Sequence, residues 1–207
     1  MATTTNYGWT TPDDTALVKD GASAIRSLGS AIDSTVYSKL GLVHINTTSF
    51  SAVSSQSIND VFSSTYTNYK IIISLSAFSG TDTYLQMRLR VSGADNSSAV
   101  YNTFGDSINN AGTRSIVADV NGTLWYLQTL DGATSGYYYS SSYDIYNPQL
   151  AFATTVSGLN AGYTQSSAPN SSYLGLLHNS ATSFTGFTVY PGNGTISGTI
   201  RVYGYKN

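Results

Sequence analysis

Few side chains in this sequence could do acid–base or metal chemistry. There are two histidines, His44 and His178, no cysteine, and eleven acidic residues that are all aspartate. Zinc sites and histidine-dependent catalysis need several such groups at fixed spacing, for example two ligands on one helix face. Neither histidine has such a neighbour. His44 lies in an apolar segment that is predicted to be a strand, and a histidine in such a position is usually a hydrogen-bonded structural residue of the sheet. The sequence therefore predicts no metal site and no cofactor.

Nucleophilic and glycosidic catalysis also lack sequence support. The serine-rich runs contain no Gly-x-Ser-x-Gly elbow. A polysaccharide hydrolase needs two carboxylates on either side of the scissile bond, and the local sequence singles out no such pair. Asp13 and Asp14 are explained as charges at a helix start. We predict no catalytic residue and a chain that is not an enzyme, with a polysaccharide-degrading enzyme on a β scaffold as the alternative.

Charge and hydropathy exclude two classes of partner. The formal net charge is -2, and charged residues make up only 10% of the chain and are scattered singly. Such a chain has no basic patch for nucleic acid. No apolar run is long enough to span a bilayer, and the first residues lack the pattern of a signal peptide. We expect a protein made in a cytoplasm, with no nucleic-acid partner and no membrane insertion.

The composition favours β structure over most of the chain. There are 17 tyrosines and 19 glycines but no glutamate, and threonine and tyrosine suit pleated surfaces whereas glycine, asparagine and aspartate suit turns. In the surest strand, Leu85, Met87 and Leu89 alternate with Tyr84, Gln86 and Arg88, which gives one apolar and one solvated face. The predicted strands are 42–45, 69–75, 85–91, 115–120, 124–127, 150–156, 173–177, 184–190 and 195–203.

These strands predict a mainly β fold, with residues 39–207 forming an antiparallel β-sandwich head of jelly-roll type. The turn-rich segment 190–194 separates the last two strands and predicts that they form a hairpin. Residues 1–38 have a different texture and are predicted to be an anchor peptide followed by a helical stem.

The stem helix is predicted to begin at Thr11, a good N-cap followed by Pro12. Its apolar residues follow a weak heptad whose members form the predicted seam of a homotrimer: Val18, Ile25, Leu28 and Ile32. Isoleucine at both seam-type positions favours three or more strands over two, so a trimer is the preferred assembly if the stem self-associates. Two interpretations stay open, because fewer than three heptads are present: a self-associating stem, or one amphipathic helix packed on its own β domain.

Tyr7, Gly8 and Trp9 precede this helix. Two large amphipathic rings on a flexible lead suit a peptide that inserts into a groove of another protein. The alternative is that Trp9 packs against the helix itself.

A second cluster of aromatic residues lies in segment 137–146, which is rich in tyrosine and serine. Such surfaces bind adaptable partners, because tyrosine offers contact area and serine offers hydrogen bonds. We predict contact with a neutral glycan through Tyr137, Tyr139 and Tyr143. The alternative is a strand whose rings only pack.

The segment from Asn6 to Asp33, which contains Tyr7-Gly8-Trp9 and Pro12-Asp13-Asp14, resembles the N-terminal segment of small virion proteins of tailed bacteriophages. Residues 196–205 are similar to the closing strand of those proteins, so the resemblance covers about the first fifth and last tenth of the chain. Such proteins include tail fibres, minor tail proteins and head fibres. The resemblance implies a virion structural component bound to a capsid or tail protein, with a head that reinforces the particle or touches a host-surface glycan.

Overall fold

The computed structural model describes residues 2–12, 17–39, 41–131, 138–163 and 168–206. Over these residues the chain is mainly β, as predicted, with one helix, α1, at Val18–Lys39. The strands, in chain order, are β1 (Ala2–Thr3), β2 (Thr10–Thr11), β3 (Leu42–Val53), β4 (Gln56–Ile58), β5 (Asn68–Phe78), β6 (Thr83–Val91), β7 (Ala94–Asp95), β8 (Tyr101–Asn109), β9 (Arg114–Gly122), β10 (Trp125–Leu130), β11 (Tyr139–Tyr146), β12 (Thr154–Tyr163), β13 (Pro169–His178), β14 (Gly186–Pro191) and β15 (Ile196–Tyr205).

The chain divides into two compact units, which we call the N-terminal unit and the β unit. The N-terminal unit comprises residues 1–42 and Lys206, and the β unit comprises most of the remainder, 43–205. In the N-terminal unit, β1 and β2 form a short antiparallel hairpin that precedes α1. The division of the chain after residue 38 into a stem and a separately folding head stays a prediction.

Two antiparallel sheets make up the β unit. The smaller sheet has the order β10-β6-β14-β4, with β7 paired to β6. The larger sheet has eight strands in the order β3-β15-β5-β11-β12-β13-β8-β9. Their inward side chains form one buried apolar cluster, to which Leu85 and Met87 of β6 and Ile71 and Ile73 of β5 belong. The arrangement is sandwich-like, and burial of this cluster is its main source of stability.

The alternation predicted for β6 is confirmed, because Leu85, Met87 and Leu89 are buried in the core. Residues 147–153 precede β12, so the strand predicted to begin at residue 150 begins at Thr154. Local turn residues outweigh the apolar residues of this segment.

The predicted C-terminal hairpin is wrong. β14 pairs with β6 and β4 in the smaller sheet, whereas β15 pairs with β5 in the larger one. The turn at 192–195 therefore carries the chain from one sheet to the other.

The predicted start of the helix at Thr11 is also wrong. Thr11 lies in β2, where it pairs with Ala2 of β1, and α1 begins at Val18.

Candidate functional site

The arm that precedes α1 packs against this helix through Trp9. The Trp9 Nε1 donates a hydrogen bond of 3.0 Å to Thr35 Oγ1, and the Trp9 backbone N–H donates one of 3.0 Å to Thr4 Oγ1. Tyr7 stacks on the indole at a centroid distance of 5.0 Å and is 58% exposed. Gly8 adopts a φ of 66°, a conformation that favours glycine, and so brings the two rings together. Trp9 therefore packs on its own helix, and of the predicted anchor rings Tyr7 is the more available to a partner.

One side of α1 carries exposed apolar residues. Val18, Ile25 and Ile32 are 96%, 66% and 36% exposed, and no residue of the helix is buried. These residues are seven apart, and the positions four residues after each are also apolar or small. We call the six positions the helix stripe: Val18, Ala22, Ile25, Gly29, Ile32 and Val36.

Leu28 lies outside the helix stripe. It is partly buried, as are Gly21, Ala24, Ala31 and Thr35, which follow one another at spacings of three and four residues. That side of the helix includes Thr35, which Trp9 contacts. Three of the four predicted seam residues therefore share an exposed face, and the fourth is turned toward the side that holds the arm.

The predicted glycan contact at Tyr139 and Tyr143 is wrong, because these rings are only 2% and 1% exposed. Both lie on β11, a central strand between β5 and β12, and face the core. Glycines on the neighbouring strand β12 leave room for these two rings. A Cβ at Gly158 would lie 2.3 Å from the Tyr143 ring, and a Cβ at Gly162 would lie 2.5 Å from the Tyr139 ring. Tyr137 lies outside the described residues.

The outer face of the larger sheet carries apolar side chains in contact with solvent. Leu159, Tyr173, Asp106 and Ile116 are cross-strand partners in one row over β12, β13, β8 and β9. We define the outer apolar face by its exposed large side chains: Phe104, Ile108, Ile116, Leu159 and Tyr173. An ion pair between Asp106 and Arg114 lies among them, in a shallow cleft of about 310 Å³. Several exposed large apolar side chains on one sheet face are typical of a surface that contacts another molecule.

A groove lies between β9 and the outer face of the smaller sheet. Its volume is about 430 Å³, and we call it the tyrosine groove. The residues that line it are Thr83, Tyr84, Gln86, Ile116, Val117, Ala118 and Tyr126. The two tyrosine rings are 5.3 Å apart and inclined at 68°. Sequence alternation placed Tyr84 and Gln86 on a solvated face, but no local signal links them to Tyr126 or to β9.

Neither histidine forms a catalytic arrangement. His178 is buried among the rings of Tyr101 and Phe184, with centroids at 4.5 and 4.8 Å, and burial lowers its pKa from 6.5 to about 4. His44 lies on β3 and its Nε2 is 2.8 Å from Thr47 Oγ1. Over the described residues, no cluster of three or more histidines and carboxylates could hold a metal ion. Nor does any helix within the described ranges have the length and hydrophobicity needed to cross a membrane.

The chain has little similarity to known proteins. No family model matches it. No curated protein matches it. Among solved structures, it is similar to the enzymatically active domain of tailspike protein 2 from bacteriophage CBA120, with a TM-score of 0.30 and 12% sequence identity. That likeness covers 83% of this chain and 31% of the other, so the chain spans about a third of the length of that structure.

This likeness corrects the prediction that the chain is not an enzyme, because the similar structure is described as an enzymatically active domain. The exclusion of enzymes is withdrawn. At a TM-score of 0.30 and 12% identity, the likeness transfers no catalytic residue and no reaction to this chain.

Proposed function

We propose that the chain is a structural component of a bacteriophage particle, of fibre, spike or decoration type. In this proposal the N-terminal unit attaches the chain to a capsid or tail protein and joins three copies. The β unit reinforces the particle or contacts a glycan of the host surface. The resemblance of residues 6–33 to virion proteins of tailed phages supports the attachment role.

The observation that carries the proposal is the exposure of α1. The helix has 22 residues, none of them buried, and its sequence contains Gly21 and Gly29. Each glycine costs about 1 kcal/mol relative to alanine, and most helices gain stability from packing an apolar face. The helix stripe is such a face, and in the described part of the N-terminal unit nothing buries it. A second and third copy would cover it, with Val18, Ile25 and Ile32 repeating every seven residues along the contact.

The outer apolar face supports the same proposal from the β unit. Its five large side chains are exposed in the single chain, with Ile116 exposed to 86%. β9 is also an edge strand of the larger sheet, and its outward side chains include Ile116 and Val120. Exposed apolar edge strands pair with other chains unless they are covered. Contact between copies through Phe104, Ile108, Leu159 and Tyr173 would cover the part of this face that does not line the groove next to β9. A jelly-roll connection of the strands stays part of the proposal.

Sedimentation and particle composition together test this function. We expect the purified chain to sediment at about three times its mass of 22.0 kDa, and we expect mass spectrometry to find it in purified, nuclease-treated particles. Labelled antibody and electron microscopy then place it on the head, neck or tail. A chain that is absent from intact particles contradicts the proposed function. A monomer at every concentration contradicts the trimer.

A further inference from the structure

We infer that the tyrosine groove binds the rings of a neutral oligosaccharide. This inference rests on the proposed function, since it specifies where and how the β unit would contact a host-surface glycan. It replaces the buried Tyr139 and Tyr143 as the ligand contact with residues on a different sheet.

The two tyrosines give the groove an aromatic corner. Tyr84 lies on β6 and Tyr126 on β10, both are partly exposed, and their rings meet edge to face at 5.3 Å. A pyranose ring has an apolar face of C–H groups that packs on an aromatic ring, and its hydroxyl groups stay at the edge of that contact. Two rings at 68° can hold one sugar face and one sugar edge together.

Neutral polar groups line the same groove. Gln86 is the cross-strand partner of Tyr126, and its amide can both donate to and accept from sugar hydroxyls. Thr83 adds a hydroxyl group to the lining. The volume of about 430 Å³ falls within the range of 300–1,000 Å³ that is usual for small-ligand sites. A mixture of apolar and hydrogen-bonding surface without charge fits a neutral sugar.

A buried amide lies in a small cavity beside the groove. Gln128 is 5% exposed, and its Oε1 accepts a hydrogen bond from Ser141. Its Nε2 has no hydrogen-bond partner among the described residues, which is unusual for a buried donor. Gln128 lines a cavity of about 20 Å³ that shares Tyr84 and Tyr126 with the tyrosine groove. A hydroxyl group that reaches this cavity would satisfy the amide.

Arg88, the basic residue nearest the groove on β6, already has partners, which disfavours an anionic ligand. Arg88 follows Gln86 on the same face of β6, and its Nε donates a hydrogen bond of 3.0 Å to the Thr123 carbonyl. Its guanidinium also lies 5.6 Å from the centroid of the Tyr190 ring. The seven described residues that line the groove carry no charge. Binding should therefore depend on stacking and hydrogen bonds, with little response to salt.

The test uses the full chain and a panel of neutral hexose and N-acetylhexosamine oligosaccharides of two to six rings, measured by microarray and then by calorimetry. The test variants are Tyr126→Ala and Tyr126→Phe. The matched control is Tyr138→Ala, which removes an exposed tyrosine outside the groove. Circular dichroism and sedimentation verify that each variant keeps its fold and assembly.

We expect the wild-type chain to bind at least one oligosaccharide, with affinity that changes less than twofold between low and physiological salt. Tyr126→Ala should weaken binding about tenfold, as expected for loss of one stacked ring. Tyr126→Phe and Tyr138→Ala should stay within about threefold of wild type, because the first keeps the ring and the second lies outside the groove.

Three results would overturn the inference: no binding to any member of the panel, equal binding by Tyr126→Ala and wild type, or binding that falls steeply with salt. None of these results would contradict the proposed function, which is tested by whether the chain is present in intact particles. Absence from particles combined with groove-dependent sugar binding would leave the site in place and remove the virion role.

Discussion

The indole of Trp9 and the hydroxyl of Thr35 join the arm to the C-terminal half of α1, through a hydrogen bond of 3.0 Å between Nε1 and Oγ1. They are 26 residues apart in sequence, and the aromatic stack of Trp9 with Tyr7 depends on where this bond holds the indole. Any partner that uses Tyr7 therefore meets a ring that stacks on an indole held by Thr35 and Thr4.

We expect Thr35→Val to loosen the arm while leaving α1 intact. The change removes the acceptor and keeps a β-branched side chain, so about 1 kcal/mol of arm stability should be lost. Amide hydrogen exchange of residues 2–12 should rise about fivefold, which is the factor that corresponds to 1 kcal/mol. Ser34→Ala, which removes an exposed hydroxyl one position away, should leave the exchange of the arm unchanged. Equal exchange in both variants would show that the indole is held by packing alone.

We expect Ile25→Asp to dissociate the proposed trimer. Ile25 is 66% exposed in the single chain, so a carboxylate at this position should not destabilise a monomer. In a trimer, three such carboxylates would be buried together at the interface, which is strongly unfavourable. Sedimentation at micromolar concentration should change from the trimer mass to that of one chain. Ser30→Asp adds the same charge on another side of α1 and should remain trimeric. If both variants sediment as the wild type does, the helix stripe does not join the copies.

Leu28 distinguishes the helix stripe from the seam predicted from sequence. Because Leu28 is partly buried on the side of the helix that includes Thr35, Leu28→Ala should loosen the arm more than it weakens association. Hydrogen exchange of residues 2–12 measures the stability of the arm. Sedimentation over a range of concentrations measures association, as the concentration at which half of the assembly has dissociated. A variant that dissociates with an unchanged arm would restore Leu28 to the seam.

Gly158 is predicted to be intolerant of any side chain. A Cβ there would lie 2.3 Å from Cδ1 of Tyr143, whose ring is fully enclosed by the core. Gly158→Ala should therefore lower the free energy of unfolding by roughly 1–3 kcal/mol, as overpacking of a core does, and urea titration followed by tyrosine fluorescence measures it. Gly175→Ala on the neighbouring strand β13 is the matched control, because its Cβ would meet the Phe104 carbonyl at an ordinary 3.9 Å. Equal midpoints for the two variants would show that the Tyr143 ring moves aside at little cost.

These residues show how far the sequence could lead. The period-two pattern of β6 placed Tyr84 and Gln86 on a solvated face, because alternation is a property of a single strand. The groove needs Tyr126 and β9 as well, and their proximity depends on how distant strands are arranged. The burial of Tyr139 and Tyr143 depends in the same way on Gly158 and Gly162 of another strand. Turn residues near Gly194 identified a turn correctly, but turn chemistry does not say which sheet receives the next strand.

His178 gives the β unit a predicted sensitivity to mild acid. The imidazole is fully buried, is flanked by the rings of Tyr101 and Phe184, and has a pKa lowered from 6.5 to about 4 because burial disfavours its charged form. Between pH 6.5 and 4 the histidine is therefore protonated in the unfolded chain but remains neutral in the folded chain. The free energy of unfolding falls as the pH is lowered through this range, and the full contribution of His178 to stability is present above pH 6.5. We expect a loss of about 2 kcal/mol, less than the full conversion of the pKa shift, because relaxation and screening soften the cost of the charge.

Urea titrations at pH 7.5, 5.5 and 4.5 measure this loss. His178→Phe keeps an aromatic ring among Tyr101 and Phe184 but removes the titrating group, so its unfolding free energy should be nearly flat over the same range. It also removes the weak contact of Nε2 with Asn96 Oδ1, at 3.4 Å, which lowers stability equally at every pH and leaves the slope unaffected. His44→Phe should retain the wild-type slope, since His178 is still present. A slope that persists in His178→Phe would show that His178 is not the source of the acid sensitivity.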